Sequence, residues 1–279
     1  MYKIVSKKKL NQTVTQMEIY SPLVAKKAQA GQFVILRVDS NGERIPLTVA
    51  DADINDGTVK IIFQIVGKTT ALLNRKEQGD YICDFVGPLG EPTKTDGIKK
   101  ACVIGGGVGS AIALPVAKKL KESGANVDVI LGFRSKNLVI LEDEFSLLSN
   151  NLQIMTDDGS YGQKGLVTDR LKTNIDIGRK YDEVFAIGPL VMMKYVVETT
   201  RPFGIKTTVS MNPIMIDGTG MCGGCRLTVD GKTKFACVDG PDFDGFAVDF
   251  DSAIERNATY KEFETQARES VCNLFKKGE

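Results

Sequence analysis

The run Cys102-Val103-Ile104-Gly105-Gly106-Gly107-Val108-Gly109 is the stretch on which the fold turns. Three apolar residues lead into four glycines within five positions, and Ser110 and Ala111 then open a helical pattern that continues to position 123. The order is strand, tight turn, helix. Glycines at such a turn let an anion approach the free N–H groups of the helix N-terminus. The run departs from G-x-G-x-x-G, because no third glycine follows Gly109. By itself it fits a dinucleotide phosphate site or an ordinary βα turn.

Downstream, apolar strand patterns at 127–132, 152–156, 183–187 and 206–210 alternate with helical patterns at 110–123, 167–171 and 190–200. That alternation predicts a doubly wound parallel sheet of about five strands over 98–210. Upstream, residues 1–97 carry short β-branched segments at 32–38, 45–50 and 58–66, broken by Gly, Asn and Asp, which predict an antiparallel β domain. Beyond 210 the chain becomes dense in Gly, Cys and Asp to about 245, a composition that calls for something other than an apolar core. The tail from 252 to 277 is charged and reads as a helix on the surface or against a partner. The expected division is thus 1–97, 98–210, 211–250 and 251–279.

At 42% hydrophobic and 25% charged residues, the chain has the balance of a globular protein. A net charge of +1 supplies no field to hold nucleic acid or an anionic membrane, so neither is an expected partner. The chain contains no histidine, which removes the usual general base, the usual zinc ligand and every Ser/His or Cys/His nucleophile. Glycines interrupt the longest uncharged run, 101–117, and no apolar run follows the basic start, so neither a membrane span nor a signal peptide is expected. The cytoplasm is the default location. Six cysteines are too few to staple 279 residues, and three of them crowd between 222 and 237, which suggests a metal.

Those three form the pattern D-x4-C-x2-C-x11-C with Asp217, Cys222, Cys225 and Cys237. Plant-type [2Fe-2S] sites use C-x4-C-x2-C and a later cysteine, so Asp217 stands where the first thiolate belongs. Gly218, Gly220, Gly223 and Gly224 suit a loop that wraps closely around sulfides. A carboxylate is harder than a thiolate and would alter the reduction potential. The same spacing also fits a structural zinc held by these four residues. A further alternative leaves Asp217 as a turn residue, with water, Asp239 or Asp242 completing the site. Cys83, Cys102 and Cys272 have apolar or helical neighbours and are expected to be buried or inert.

Several segments could grip a nucleotide. Arg44, Ile45, Pro46, Leu47 and Thr48 place a cation, a rigid turn and a hydroxyl at a strand start. Gly67, Lys68, Thr69 and Thr70 precede a helical 71–74; a surface arginine and a helix cap are the plainer readings of both. Arg134 ends the second parallel strand, where no carboxylate stands to claim a ribose, since Asp128 lies inside it. NAD and NADP are therefore not distinguished. Asp157, Asp158, Gly159 and Ser160, and likewise Gly188 and Pro189, follow strand patterns, where open α/β sheets bind ligands or simply turn.

In this order, the 44–48 and 67–70 segments, Gly105 to Gly109, Gly188-Pro189 and a C-terminal iron-sulfur segment resemble the ferredoxin reductase superfamily, over nearly the whole chain. The cluster segment followed by Val238-Asp239-Gly240-Pro241 is similar to the dihydroorotate dehydrogenase electron transfer subunits, which carry four cysteines. Asp217 resembles instead the small subunits of NADH-dependent ferredoxin:NADP oxidoreductases, also called sulfide dehydrogenase small subunits, where three cysteines and an aspartate hold the [2Fe-2S] cluster. The resemblance implies a β-barrel FAD domain, with Arg44 near the phosphates and Thr48 near the isoalloxazine. It implies NAD(H) at Gly105 to Gly109, Asp157 to Ser160 and Gly188-Pro189, and an oxidoreductase whose FAD carries the chemistry while the cluster relays single electrons. It implies a heterodimer with a larger flavin and [4Fe-4S] subunit that exchanges electrons with NADPH and ferredoxin by electron bifurcation. A dihydroorotate dehydrogenase electron transfer subunit, or a zinc-binding or redox-sensing non-enzyme on the same fold, are the alternatives.

Overall fold

The computed structural model describes residues 1–259. The first seven strands are β1 (Tyr2–Lys9), β2 (Val14–Tyr20), β3 (Phe33–Arg37), β4 (Arg44–Asp53), β5 (Thr58–Gln64), β6 (Tyr81–Ile82) and β7 (Asp84–Leu89), with α1 (Pro22–Ala25) and α2 (Lys68–Arg75) between them. They form one antiparallel sheet in the order β6-β1-β2-β5-β4-β3-β7. Only Cys83 separates β6 from β7, so the two edges adjoin and the sheet curls into a nearly closed barrel. Alternate residues fill it, as on β5, where Val59, Ile61 and Phe63 are buried as the period of two requires.

β4 changes neighbours along its length. Its Arg44–Thr48 half pairs with β3, whereas β5 begins to pair only at Val49. Pro46, read from sequence as a rigid turn, instead lies within this continuous strand. Its missing N–H is tolerated because this half of β4 has a β-partner on one side only.

The second sheet holds β8 (Lys100–Gly106), β9 (Asn126–Phe133), β10 (Asn151–Thr156), β11 (Gln163–Lys164), β12 (Glu183–Ile187) and β13 (Lys206–Ser210), joined by α3 (Gly109–Glu122), α4 (Glu142–Leu148), α5 (Val167–Asp176) and α6 (Leu190–Thr200). With β16 (Asp242–Asp244) at its edge, its order is β11-β10-β9-β8-β12-β13-β16, parallel except for the last strand. Seven strands therefore replace the expected five. β11 has two residues and β16 (Asp242–Asp244) three, too short for any periodicity to show.

The segment after β13 contributes the hairpin β14 (Arg226–Val229) and β15 (Lys232–Phe235), then β16 and α7 (Phe250–Ala258). Contrary to the composition-based expectation, it does join an apolar core. Cys225, Leu227, Ala236, Cys237 and Phe243 are buried in one cluster with Phe33 and Ile35 of the barrel and Val209 of the parallel sheet. The rest of the expected helical tail, with Cys272, lies outside the described residues. Among the described residues no helix is long and apolar enough to cross a membrane.

Asp128 sits near the start of β9, at the end of the sheet opposite the glycine turn. Its buried carboxylate accepts hydrogen bonds from Arg179 at 2.5 Å and from the Tyr181 hydroxyl at 2.8 Å. Removing a partner from a buried carboxylate leaves charge without compensation, and the exposed part of Arg179 moderates the loss. Arg179→Met is expected to lower stability by about 2 kcal/mol, as read by urea denaturation.

Candidate functional site

The parallel strands run β10-β9-β8 in one direction from β8 and β12-β13 in the other, so the order reverses between β8 and β12. Ligands bind at such a switch point, beyond the carboxyl ends of the strands. Gly109 shows how tightly it is built. A Cβ there would lie 2.5 Å from the Ile187 carbonyl oxygen and 2.8 Å from Gly188 Cα, so the first turn of α3 rests directly on the loop after β12. Beside it the Ser110 hydroxyl is buried without a hydrogen-bond partner among the described residues.

A cavity of about 720 Å³ opens at this point, within the size range of small-molecule sites. Of the residues expected from sequence, Gly106, Gly107, Val108, Gly109, Arg134, Asp157, Gly188 and Pro189 line it. Gly105 lies one residue deeper in β8 and does not. Asp158, Gly159 and Ser160 also stand outside the lining. Asp158 Oδ1 accepts from the Ser160 N–H at 2.9 Å and its hydroxyl at 2.6 Å, which holds the Asp158 carboxyl below the usual carboxylate range. The Ser160 hydroxyl in turn accepts from the Lys136 N–H at 2.8 Å.

Sequence reading missed the other wall. Thr13 and Gln64, from the barrel, face the same cavity, as do Tyr195 of α6, Ser210 and Asn212. Ser210 ends a predicted parallel strand and was open to discovery on that ground. Thr13 and Gln64 carry no local signal, since only barrel closure brings them there.

The expected flavin residues stand apart from this cavity, at the start of β4 and of α2. The Thr70 hydroxyl accepts from the N–H groups of Val66 and Gly67, both at 3.0 Å, so it serves as a helix cap. The Thr69 hydroxyl donates to Glu43 at 2.7 Å, joining α2 to the residue before β4, and Lys68 is exposed. Pro46, Leu47 and Thr48 line the half-paired stretch of β4. Arg44 is half-buried, and its Nε donates to the Ile216 carbonyl at 3.2 Å.

That carbonyl belongs to the loop with the four expected metal ligands. Gly218, Gly220 and Gly223 adopt positive φ of 84°, 85° and 66°, as a wrapping loop requires, whereas Gly224 does not. The sulfurs of Cys225 and Cys237 lie 3.3 Å apart, and burial pushes the Cys237 thiol up to about 12. Cys222 is exposed, and its thiol is lowered by the N–H groups of Gly224 and Asp217. Asp217 Oδ2 accepts from the Thr219 and Met221 N–H groups at 2.9 and 3.4 Å and from the Thr219 hydroxyl, which lowers its carboxyl. Cys225 and Cys237 thus form one close pair, while Cys222 takes a hydrogen bond from the Asp217 backbone N–H. Among the described residues no three His, Cys, Asp or Glu side chains converge on a point that could hold one ion. Asp239 is engaged by Lys234 at 3.0 Å and the Phe235 N–H at 2.8 Å, and half-buried Asp242 by the Thr93 hydroxyl at 2.5 Å.

Residues 212–249 match the family described as the iron-sulfur cluster binding domain of dihydroorotate dehydrogenase B. A chain in a solved structure of NADH-dependent reduced ferredoxin-NADP oxidoreductase, determined for insight into flavin-based electron bifurcation, is 46% identical over 98% of both chains, with a TM-score of 0.92. The barrel and parallel sheet therefore make a ferredoxin-reductase-like fold. The dihydroorotate dehydrogenase B electron transfer subunit homolog of Thermotoga maritima is 49% identical, over 94% of this chain and 92% of its own. The dihydroorotate dehydrogenase B electron transfer subunit of Geobacillus thermodenitrificans is 35% identical, over 86% of this chain and 94% of its own. On that extent of identity, the chain belongs to the family of dihydroorotate dehydrogenase B electron transfer subunits and their homologues.

Proposed function

We propose that the chain is the NAD(H)-handling electron-transfer subunit of a heterodimer coupling NADH, NADPH and ferredoxin, with FAD and a [2Fe-2S] cluster as its own cofactors. When bound, the flavin accepts a hydride and the cluster passes electrons singly. The observation that carries this reading is that one barrel touches both sites. Thr13 and Gln64 face the nucleotide cavity, and Arg44 holds the cysteine loop.

The donor set fits the cluster. Such a cluster takes four protein ligands, two to each iron, and the loop offers four, with Cys225 and Cys237 already side by side. Cys225 and Cys237 would hold one iron, Cys222 and Asp217 the other. Burial raises the Cys237 thiol while hydrogen bonds lower Cys222 and Asp217, and a bound metal would displace the proton from each thiol it takes. A single tetrahedral zinc would need all four donors around one point, which is why we set the zinc and sensing alternative second.

The flavin would lie along β4 residues 44–48 and the 67–70 segment, where a half-paired strand leaves backbone groups free. NAD(H) would take the cavity, its phosphates against Gly106 to Gly109 and the N-terminus of α3. Nothing in this scheme needs histidine: the chain binds, orients and excludes water. Thiolate ligation suits the reducing cytoplasm. A larger flavin and [4Fe-4S] subunit would complete the complex. The dihydroorotate dehydrogenase electron transfer role is the second reading, favoured by the match over 212–249; the large chain that co-purifies separates the two.

Two substitutions test the site. Asp217→Cys is expected to retain a [2Fe-2S] cluster with altered g-values in electron paramagnetic resonance and a shifted midpoint, and an unchanged signal removes Asp217 from the ligand set. Gly109→Ala forces α3 off the β12 loop at a cost of about 1–3 kcal/mol. It is expected to raise the NADH concentration for half-bleaching about tenfold while flavin content holds.

A further inference from the structure

Arg44 is placed unusually for a residue expected at a flavin. It opens β4, the strand whose first half has a β-partner on one side only. Its neighbour Glu43 reaches the start of α2 through Thr69, at 2.7 Å. Arg44 itself turns the other way and donates from Nε to the carbonyl of Ile216, 172 residues along the chain and one residue before Asp217. Among the described residues it has no ion pair, and its terminal nitrogens make no hydrogen bond. A guanidinium is a rigid fork: with Nε used, the two terminal nitrogens still present the planar pair that suits phosphate oxygens.

The surroundings keep this loop close to the barrel. A Cβ on Gly218 would lie 2.7 Å from Leu89 Cδ1 and 3.0 Å from Ile35 Cγ1, so the loop rests directly on β3 and β7. Ile216 cannot move far without breaking both that packing and the hydrogen bond from Arg44.

We propose that Arg44 is a positioning residue shared by the two cofactor sites. Its Nε fixes the backbone beside the Asp217 ligand while its terminal nitrogens take the flavin diphosphate, so that flavin occupancy sets the potential of the cluster. The inference deepens the proposed function and rests on it.

The sign follows from charge. A reduced cluster carries one more negative charge than an oxidised one, so a nearby cation favours reduction and raises the midpoint. Diphosphate bound to the same cation offsets it, so loading flavin lowers the midpoint and stripping flavin raises it.

The test is made on the full chain, isolated anaerobically, first analysed for iron, zinc and flavin. Zinc without flavin overturns the underlying function itself, before any potential is read. With both cofactors present, the cluster midpoint and electron paramagnetic resonance signal are measured in flavin-loaded and flavin-stripped protein. In the wild type, stripping is expected to raise the midpoint and change the signal, and re-adding FAD to reverse both. In Arg44→Ala, loaded with excess FAD, the flavin-dependent shift is expected to fall well below half, because the diphosphate is no longer drawn to the cation that holds the Ile216 carbonyl. In Arg44→Lys, which keeps the charge without the Nε donor or the fork, it is expected to keep its sign but lose at least half its size. A wild-type cluster indifferent to flavin overturns the proposal, and so does an Arg44→Ala shift equal to that of the wild type. Should Arg44→Ala fail to fold, a full-sized shift in Arg44→Lys overturns it instead.

Discussion

The cysteine segment cannot stand alone, and much of the architecture follows from that. Some forty residues rich in Gly, Cys and Asp bury too little apolar surface to fold by themselves, so the segment borrows structure from both neighbours. β16 extends the parallel sheet by pairing with β13, and the Glu91 N–H donates to the Gly240 carbonyl at 2.6 Å, tying the segment to the strap between barrel and sheet. Thr93 in that strap holds half-buried Asp242, and Lys119 of α3 donates to the Thr93 carbonyl at 3.1 Å. The loop with the metal-type donors is thereby fixed relative to the barrel and the glycine turn together.

This shared support bears on function, because electron transfer depends on centres held at fixed separations. The barrel is the common element. It forms one wall of the cavity at the switch point, offers the half-paired stretch of β4, and carries the loop of Ile216 and Asp217. Further contacts lock it to the parallel sheet, including Lys118 with Asp51 at 3.0 Å and the Asn11 amide with the Leu138 carbonyl at 3.2 Å. A chain without histidine suits such a design, in which cofactors carry the chemistry and the protein sets their positions.

Much of this was legible in the sequence, and the misses share a cause. The glycine turn and the strands at 183–187 and 206–210 appear where their patterns place them, since a buried parallel strand is an uninterrupted apolar or β-branched run. β11 and β16 escaped because two or three residues have no period. The core of the cysteine segment escaped because its apolar residues are scattered and meet only across distant elements, as Phe243 and Phe33 do. At the sites, the glycines and Asp157 were readable from their place after strands. Thr13 and Gln64 were not, and neither was the reach of Arg44 to Ile216, because each depends on the barrel closing. Asp128 was read as lying inside its strand, and it sits near the strand's start, paired with Arg179 and Tyr181.

The proposed function requires that this chain house a flavin and a two-iron cluster that NADH can reduce. The most direct measurement is an anaerobic visible spectrum of the purified chain, with iron, zinc and flavin quantified, before and after NADH is added. Iron and flavin together, with bleaching of the visible bands by NADH, are the expected result. Zinc in place of iron with no flavin, or bands that NADH leaves untouched, would contradict it.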